Sequence, residues 1–348
     1  MKIIHLRFPP GIAGGKVLQR VQESGTSISM IPLRQGGSRW DASILVSDQL
    51  SQYLLDELLD KSPGIRVSLF DIPREPERAF DRPVIILGAP RSGTTLLFET
   101  LSKCANVWTI GGESLDVFER PDQIGDRGNR LDYSDADPNA SKCVIGGFLS
   151  VVRDRQGRLY IERESLERPC SIRFLEKTPR NSLRIPFLRS IFPDAKFIFL
   201  YRDPRSNIAS LIDGWHSSGR WTFLYPPGWR ELIGKPIPVI AASQWRAANQ
   251  FILMDLTDLP RDHWMFVEYG RLVDDSDKQI RKLCEFASLE IDDVLDSMLK
   301  RPLPLSQTTV TPPHPEKWRR HAKELDRVMP SLEAITAKIE QLQRSGGS

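Results

Sequence analysis

Short apolar runs alternate with helical periodicity from residue 84 onward. Four runs have the length and the β-branched or aromatic content of buried strands, and they lie at 84–87, 173–176, 196–201 and 264–267. Helical spacing of apolar residues predicts helices at 94–104, 182–191, 204–213, 241–256, 276–287 and 291–300. Strands separated by helices are typical of a parallel sheet covered by helices. The predicted fold class is therefore α/β, a three-layer sandwich with a central, mainly parallel sheet.

The first 78 residues follow a different pattern and are predicted to form a small N-terminal appendage without an assigned role. Glycine- and proline-rich turns such as 9–15 separate short segments, and helical spacing is visible at 48–59. Residues 79–344 are predicted to form the main domain. A β-hairpin outside the regular alternation is predicted at 148–161, around the Asp-Arg-Gln-Gly turn.

Composition and charge narrow the class of protein. Apolar residues make up 40% and charged residues 27% of the 348 residues, which is ordinary for a globular protein. The net charge of +3 is too small to argue for nucleic-acid binding. The four cysteines form no C-x-x-C pair and the five histidines are dispersed, so we expect reduced thiols, no metal site and a cytoplasmic location. No apolar run reaches the roughly 18 residues of a membrane span.

A glycine-rich phosphate loop that lacks its lysine follows the first predicted strand. Residues 88–95 read GAPRSGTT and differ from the NTPase pattern G-x-x-x-x-G-K-[ST] at Thr94, which stands in the lysine position. Backbone N–H groups and the helix dipole can hold an anion there, but the cation that reaches the outer phosphates of ATP is missing. The loop suits a single 5′-phosphate, with Arg91 beside it. A turn with chance glycines is the alternative.

A second candidate anion site follows the strand at 196–201. Arg202 stands at the carboxyl end of this strand, where ligands bind in open α/β sheets, and Ser210 lies about two turns into the next helix. The two side chains could share one phosphate. Alternatively, Arg202 pairs with Asp203 or another acidic residue and Ser210 only packs. Two separate monophosphate sites suggest a nucleotide phosphorylated at both the 5′ and the 3′ position, which describes 3′-phosphoadenosine 5′-phosphosulfate (PAPS).

Over roughly residues 83–320, the chain resembles the PAPS-dependent sulfotransferases, in particular the tyrosylprotein sulfotransferase-like branch and its bacterial relatives. The P-R-S-G-T-T form of the loop is similar to the family's 5′-phosphosulfate loop. Residues 197–210 are similar to its 3′-phosphate segment, in which a serine follows an arginine by eight positions, as Ser210 follows Arg202. The resemblance implies PAPS as donor, adenosine 3′,5′-bisphosphate as product, and no metal.

Two further matches concern catalysis. Lys177, in the segment LEKTPR, matches a family lysine that contacts the transferring group. In the cytosolic branch a histidine two positions later is the general base, but Pro179 stands there and cannot exchange a proton. In the tyrosylprotein-like branch a glutamate after the loop helix is the base, and Glu113 in IGGES matches it. The alternatives are a helix-start carboxylate for Glu113 and a surface salt bridge between Lys177 and Glu176.

Weaker matches lie downstream. Tyr269 resembles a tyrosine that approaches the adenine, although Gly270 replaces the acid that usually follows it. Lys317 lies near the end of segment 306–318, which resembles the part that closes over the donor and is either a lid or only a connector. The predicted donor-binding residues are Arg91, Ser92, Gly93, Thr94, Thr95, Arg202, Ser210, Tyr269 and Lys317; the predicted catalytic residues are Glu113 and Lys177.

The acceptor is not defined by the sequence. We expect a small-molecule, lipid or carbohydrate acceptor with a hydroxyl or an amine, and aromatic residues of the stretch 214–234 are predicted to line its cleft: Trp215, Trp221, Phe223, Tyr225 and Trp229. Nucleic acid is not expected as a partner, and the oligomeric state stays open. The competing interpretations are a P-loop kinase or NTPase, and a nucleotide-binding module without catalysis.

Overall fold

The structure is a computed structural model that describes residues 1–9, 14–23, 27–32, 41–61, 64–118, 125–164, 166–218, 224–309 and 314–345. The described strands are β1 (Lys2–Arg7), β2 (Ser27–Pro32), β3 (Ala42–Val46), β4 (Arg66–Asp71), β5 (Val84–Leu87), β6 (Val107–Trp108), β7 (Arg173–Lys177), β8 (Lys196–Tyr201) and β9 (Trp264–Glu268).

The helices of the first half are α1 (Gly14–Glu23), α2 (Asp48–Lys61), α3 (Thr94–Leu101), α4 (Leu115–Phe118), α5 (Pro138–Val151) and α6 (Ile185–Ile191). Those of the second half are α7 (Pro204–Ser218), α8 (Ile237–Thr257), α9 (Tyr269–Asp274), α10 (Ser276–Ala287), α11 (Asp293–Leu299), α12 (Ala322–Val328) and α13 (Glu333–Ser345).

A five-stranded parallel sheet with flanking helices confirms the predicted α/β fold class. Its strand order is β6-β7-β5-β8-β9, and all four neighbouring pairs run parallel. The central strands β5 and β8 are almost entirely buried, as expected for strands covered on both faces. The carboxyl ends of β5 and β8 therefore meet at one edge of the sheet, where the phosphate loop and Arg202 begin.

A four-stranded antiparallel sheet forms most of the N-terminal segment, in the order β2-β3-β1-β4. Its buried residues form a core with α1 and α2, which includes Ile4, Leu6, Ile44 and Leu54. The helix predicted at 48–59 is confirmed as α2. The sheet itself was not predicted from the sequence.

The chain divides into two compact units. The first unit contains Met1–Asp81, Asn106–Arg120 and Ala136–Phe174, and the second contains Arg82–Ala105, Pro121–Asp135 and Leu175–Ser348. The predicted division of the sequence between residues 78 and 79 stays a prediction.

The predicted hairpin at 148–161 is wrong in its first arm. Residues up to Val151 belong to α5, which begins after Asp137, whose carboxylate accepts hydrogen bonds from the N–H groups of Asn139 and Ala140. The turn survives, since the Gly157 N–H donates to the Asp154 carbonyl over 2.9 Å. Arg153 pairs with Leu159 only through an isolated bridge. A strong N-cap and a proline in the first turn favour helix over strand here.

Candidate functional site

The glycine-rich loop makes a sharp turn between β5 and α3. Arg91 and Gly93 have positive φ angles of 67° and 102°, the region that glycine adopts most easily. The first glycine, Gly88, sits in a tight place, because a Cβ built on it would lie 2.7 Å from the Leu200 carbonyl oxygen. The Ser182 hydroxyl donates to the Gly88 carbonyl over 3.0 Å. The backbone therefore has one conformation available here, and it presents the start of α3 at the carboxyl edge of the sheet.

The loop also carries a buried hydroxyl with no described partner. Ser92 is 1% exposed, and among the described residues its Oγ finds no hydrogen-bond partner. Thr94, in the former lysine position, is buried at the first position of α3, and Thr95 follows it. The first N–H groups of a helix lack intrahelical acceptors. An oxyanion at this turn would meet both those N–H groups and the Ser92 hydroxyl.

Arg202 lies against the loop from the end of β8. Its Nη1 donates to the Arg91 carbonyl oxygen over 3.0 Å, and its guanidinium lies 4.7 Å from the centroid of the Tyr269 ring. Its Nε is buried and has no hydrogen-bond partner among the described residues. Burial lowers the pKa of Arg202, and the positive charge of Arg91 acts in the same direction. No ion pair between Arg202 and Asp203 is present among the described contacts, whereas a bound anion would satisfy both the charge and Nε.

Arg91 contacts Ser210, the serine that is predicted to bind the 3′-phosphate. Its Nε donates to Ser210 Oγ over 3.4 Å, and its Nη1 donates to the Thr308 carbonyl over 3.0 Å. Burial lowers the pKa of Arg91, an effect that the carboxylate of Asp213 partly offsets. The side chain of Arg91 therefore connects the two predicted phosphate sites instead of serving the loop alone.

Lys177 is buried at the carboxyl end of β7. Its Nζ donates to Thr95 Oγ1 over 3.3 Å and lies 6.0 Å from the centroid of the Phe98 ring. The carboxylate of Glu176 accepts from the hydroxyl of Thr178 over 2.7 Å and from the amide of Asn181. A surface salt bridge does not describe this pair, because Glu176 and Lys177 are 2% and 3% exposed. The ammonium of Lys177 is directed to the start of α3.

Tyr269 and Lys317 also belong to the second unit. A Cβ built on Gly93 would lie 2.4 Å from the Cδ2 atom of Tyr269, so the tyrosine ring packs directly on the loop. Lys317 begins a 3₁₀ turn, Lys317–His321. Burial lowers the pKa of Lys317, and the positive charges of Arg320, Arg202 and Arg91 lower it further. The C-terminal segment thus brings another cation within electrostatic range of the two arginines.

Glu113 belongs to the first unit. It is exposed, in the bend between β6 and α4, two positions before α4 begins. Its predicted role as general base stays a prediction.

The aromatic residues predicted to line an acceptor cleft have different environments. Trp215 is buried at 3% exposure, whereas Tyr225 and Trp229 are partly exposed and their rings meet edge to face at 4.9 Å. The Arg180 guanidinium lies 5.7 Å from the centroid of the Tyr225 ring. Trp221 and Phe223 lie outside the described residues.

Several residues that organise the site were not predicted. Ser182 fixes Gly88, and Trp245, which is fully buried, donates its indole N–H to the Arg202 carbonyl over 3.4 Å. Asp213 acts on Arg91 and Lys317 through its charge. Of these, Asp213 carried a signal in the sequence, because it lies three positions after Ser210 and therefore on the same side of the helix.

A family model described as "Sulfotransferase family" matches residues 83–293, more than half of the chain. The chain belongs to this sulfotransferase family. The matched range contains the loop, Glu113, Lys177, Arg202, Ser210 and Tyr269, which were chosen for their chemistry and their resemblance to the same family.

Two curated relatives share low identity with this family member. An uncharacterized protein of Aquifex aeolicus is 25% identical over 272 residues, which cover 74% of this chain and 33% of that protein. Protein-tyrosine sulfotransferase A of Caenorhabditis elegans is 23% identical over 215 residues, which cover 60% of this chain and 50% of that protein. The chain therefore spans between a third and a half of the length of these relatives.

Among solved structures, sulfotransferase STF9 from Mycobacterium avium is similar to this sulfotransferase family member over 92% of this chain and 98% of that one, with 16% identity and a TM-score of 0.43.

Candidate metal sites and membrane-spanning helices are both absent from the described residues. These residues contain no group of three or more His, Cys, Asp or Glu side chains that could hold a metal ion. Likewise, no helix within the described ranges is both long enough and apolar enough to cross a membrane.

Proposed function

We propose that the chain is a sulfotransferase that moves a sulfuryl group from PAPS to a hydroxyl or an amine of a small-molecule, lipid or carbohydrate acceptor. The observation that carries this proposal is Arg202. It is a half-buried arginine whose buried Nε has no hydrogen-bond partner among the described residues, and it is held against a phosphate loop that has no lysine. A 3′-phosphate at Arg202 and a 5′-phosphate at the loop would satisfy the buried polar atoms of both places.

The residues present fit such a donor. In the proposal, the N–H groups at the start of α3 and the Ser92 hydroxyl bind the 5′-phosphate, because they are the donors that the turn leaves without acceptors. Arg202 and Ser210 bind the 3′-phosphate, and Tyr269 and Lys317 contact the nucleotide. Arg91, which lies on Ser210, adds a charge-assisted hydrogen bond to either phosphate.

The donor supplies a sulfuryl group carried on a phosphate leaving group. In the transfer, a bond forms between the acceptor oxygen or nitrogen and sulfur, and the bond between sulfur and the bridging oxygen breaks. Lys177, whose Nζ lies on Thr95, stabilises negative charge at the leaving oxygen. Glu113 accepts the proton of the acceptor, and its exposure in the bend before α4 supports this role. Adenosine 3′,5′-bisphosphate is the second product.

The kinase and NTPase interpretation is weaker. Thr94, at the first position of α3, stands where an NTPase loop has its lysine. A threonine has no positive charge to offer to a triphosphate. Binding without transfer is the other competing function, and the buried Lys177 beside Thr95 speaks against it, because burying an ammonium group is costly without a role for its charge.

Calorimetry with two nucleotides tests the donor. We expect adenosine 3′,5′-bisphosphate to bind more tightly than adenosine 5′-monophosphate, by about 1.5–3 kcal/mol for each charged hydrogen bond to the 3′-phosphate. Arg202→Ala should remove this preference, whereas Arg246→Ala, which changes an exposed arginine of α8, should keep it. Labelled PAPS should release the bisphosphate when an acceptor is present. Equal affinity of the wild type for both nucleotides, or magnesium-dependent turnover of ATP, would refute the proposal.

A further inference from the structure

His321 lies between two carboxylates at the end of the 3₁₀ turn Lys317–His321. Its Nε2 is 3.0 Å from Asp213 Oδ1 on α7, and its Nδ1 is 2.9 Å from Glu324 Oε2 on α12. The histidine side chain is 16% exposed and that of Asp213 is 21% exposed. The other oxygen of Asp213 accepts a hydrogen bond from Arg320 of the same turn. Asp213 thus fastens the turn to α7 through two side chains.

Only the protonated ring satisfies both carboxylates. A neutral imidazole has a single N–H, so one of its nitrogens would direct a lone pair at a carboxylate oxygen. The imidazolium donates from both nitrogens and carries a charge that both carboxylates attract. The arrangement with both contacts therefore binds a proton more tightly than an arrangement in which one contact is broken.

The same carboxylate is connected to the donor site. Asp213 lies three residues after Ser210 on α7, and its charge acts on both Arg91 and Lys317. The turn that His321 fastens begins with Lys317. If the turn left α7, Lys317 would move away from Arg91 and Arg202, and the donor site would lose one of its cations.

We propose that His321 is a positioning residue that fastens the Lys317 turn to Asp213 in its protonated form, and that donor affinity is therefore proton-dependent. This inference rests on the proposed function, because it takes the bisphosphate nucleotide as the ligand. Raising the pH removes the proton from His321, weakens the contact with one carboxylate, and lowers the affinity for the nucleotide.

The other charged groups around His321 are shared by the wild type and His321→Gln, so any titration of their own is common to the two proteins. The charged groups on α7 are Asp213 and Arg205. The Arg205 guanidinium lies 5.3 Å from the centroid of the Trp318 ring. On α12 the facing group is Glu324, and within the turn itself they are Lys317, Arg319 and Arg320. Carboxylates ordinarily titrate near pH 4 and arginines above 12, whereas histidines titrate near 6.5. His216 of α7 is an exposed histidine, so it serves as the matched control.

Calorimetric titration with adenosine 3′,5′-bisphosphate from pH 5.5 to 8.5 tests the proposal, with wild type, His321→Gln and His216→Gln. The 3′-phosphate titrates in this range too, so the quantity of interest is the ratio of the Kd of His321→Gln to that of the wild type, in which ligand protonation cancels. We expect this ratio to be on the order of fivefold or more at pH 5.5 and to approach one at pH 8.5. The ratio for His216→Gln should stay near one throughout.

Glu324→Gln gives a second, independent variant. The glutamate is 47% exposed, so the substitution is compatible with folding. A glutamine amide can donate to Nδ1, which lets the neutral ring satisfy both neighbours. This variant should therefore lose less affinity between pH 5.5 and pH 8.5 than the wild type does, and ligand titration cancels because both proteins bind the same nucleotide.

Three outcomes overturn the proposal. A ratio for His321→Gln that does not change with pH overturns this inference alone, as does a pH profile of Glu324→Gln identical to that of the wild type. A wild type that binds no bisphosphate at any pH overturns the proposed function, and with it this inference.

Discussion

Two half-buried arginines next to each other give the candidate site its character at the scale of single residues. Burial lowers the pKa of both Arg91 and Arg202, and the positive charge of Arg91 lowers the pKa of Arg202 further. Burying a charge costs free energy unless a counter-charge or hydrogen bonds offset it. Asp213 offsets part of this cost for Arg91. In the proposed function, a doubly charged phosphate offsets the rest, which makes these two residues suited to bind an anion.

Gly93 illustrates why the loop needs a glycine. Its φ of 102° is unfavourable for other residues, and a Cβ would lie 2.4 Å from the Tyr269 ring. The ring therefore closes one side of the loop, and the Arg202 guanidinium stacks on it at 4.7 Å. A single glycine thus allows loop, tyrosine and arginine to pack as one group.

Glu113→Gln tests the assignment of the general base. We expect turnover with PAPS to fall by ~10²–10⁴-fold, the usual contribution of a positioned base, because the amide cannot accept the proton. Affinity for adenosine 3′,5′-bisphosphate should stay unchanged, since the proposed function assigns nucleotide binding to the cations of the second unit. Steady-state kinetics and calorimetry measure the two quantities. Glu164→Gln, an exposed glutamate of the first unit, is the control and should keep full activity. Turnover of Glu113→Gln near the wild-type value would disprove the assignment.

The sequence located the candidate residues better than it predicted where their side chains go. The loop pattern and the position after β8 identified Arg91, Arg202 and Ser210 because backbone geometry at a strand end is local. The contact of Arg91 with Ser210 joins residues 119 positions apart, and the direction of a long side chain depends on such distant partners. Ser182 and Trp245 escaped for the same reason, since nothing in their immediate sequence indicates a contact with Gly88 or with the Arg202 carbonyl.

At the scale of elements, strands with a run of several apolar residues were predictable, including the edge strand β9, whereas the two-residue strand β6 was not. The predicted boundaries of β5 and β8 are those observed, because continuous apolar runs of this length are typical of central parallel strands. The edge strand β6 has two residues, too few for any periodicity. In the N-terminal sheet, His5 and Ser43 are buried in the middle of β1 and β3 and interrupt the apolar pattern.

The last residues of helix α5 were interpreted as a hairpin arm because they precede the Asp-Arg-Gln-Gly turn. The helix also contains two adjacent glycines, Gly146 and Gly147, which disfavour helices. The structure shows what Gly146 permits: a Cβ there would lie 3.0 Å from Leu45 Cδ2, so the glycine allows α5 to approach β3 closely. Packing between elements that are distant in sequence thus decides the conformation against local propensity.

A buried ion pair fastens the loop that precedes α5 to helix α8. Arg130 donates two hydrogen bonds to Asp255, of 2.5 and 2.9 Å, and its guanidinium lies 4.6 Å from the Phe251 ring centroid. The side chains of Arg130 and Asp255 are 12% and 5% exposed. The neighbouring Asn129 exchanges backbone and side-chain hydrogen bonds with Tyr225. The ion pair therefore positions the loop whose Asn129 forms hydrogen bonds with Tyr225.

Asp255→Asn should lower the free energy of unfolding by about 3–5 kcal/mol, because it leaves Arg130 buried without a counter-charge. Urea denaturation followed by circular dichroism measures this change. The matched control is Asp258→Asn, which changes an exposed aspartate just beyond the end of α8 and should shift the free energy by less than about 0.5 kcal/mol. A loss for Asp255→Asn no larger than that of the control would show that the pair is energetically unimportant.

At the scale of the whole molecule, the residues proposed to bind the nucleotide all belong to the second unit, although they come from distant parts of the chain. The loop and α3, the end of β8 with α7, the start of α9 and the Lys317 turn lie between residues 88 and 321. These segments come together only in the folded protein. A ligand that binds it must therefore stabilise these elements together, and the sequence alone could not show that they converge.

Hydrogen exchange of the full chain tests this convergence. A ligand that binds only the native state stabilises it by about 2.7 kcal/mol at one hundred times its Kd. With adenosine 3′,5′-bisphosphate at that excess, amide exchange should slow at the N-terminus of α3, at the start of α7 and in the Lys317 turn, because these segments would contact the same ligand. Arg202→Ala at the same nucleotide concentration should show less protection at all three segments, since one lost contact weakens binding as a whole. Protection of α3 alone, with α7 and the Lys317 turn unchanged, would mean that the loop binds a phosphate independently and that the two arginines do not hold a common ligand.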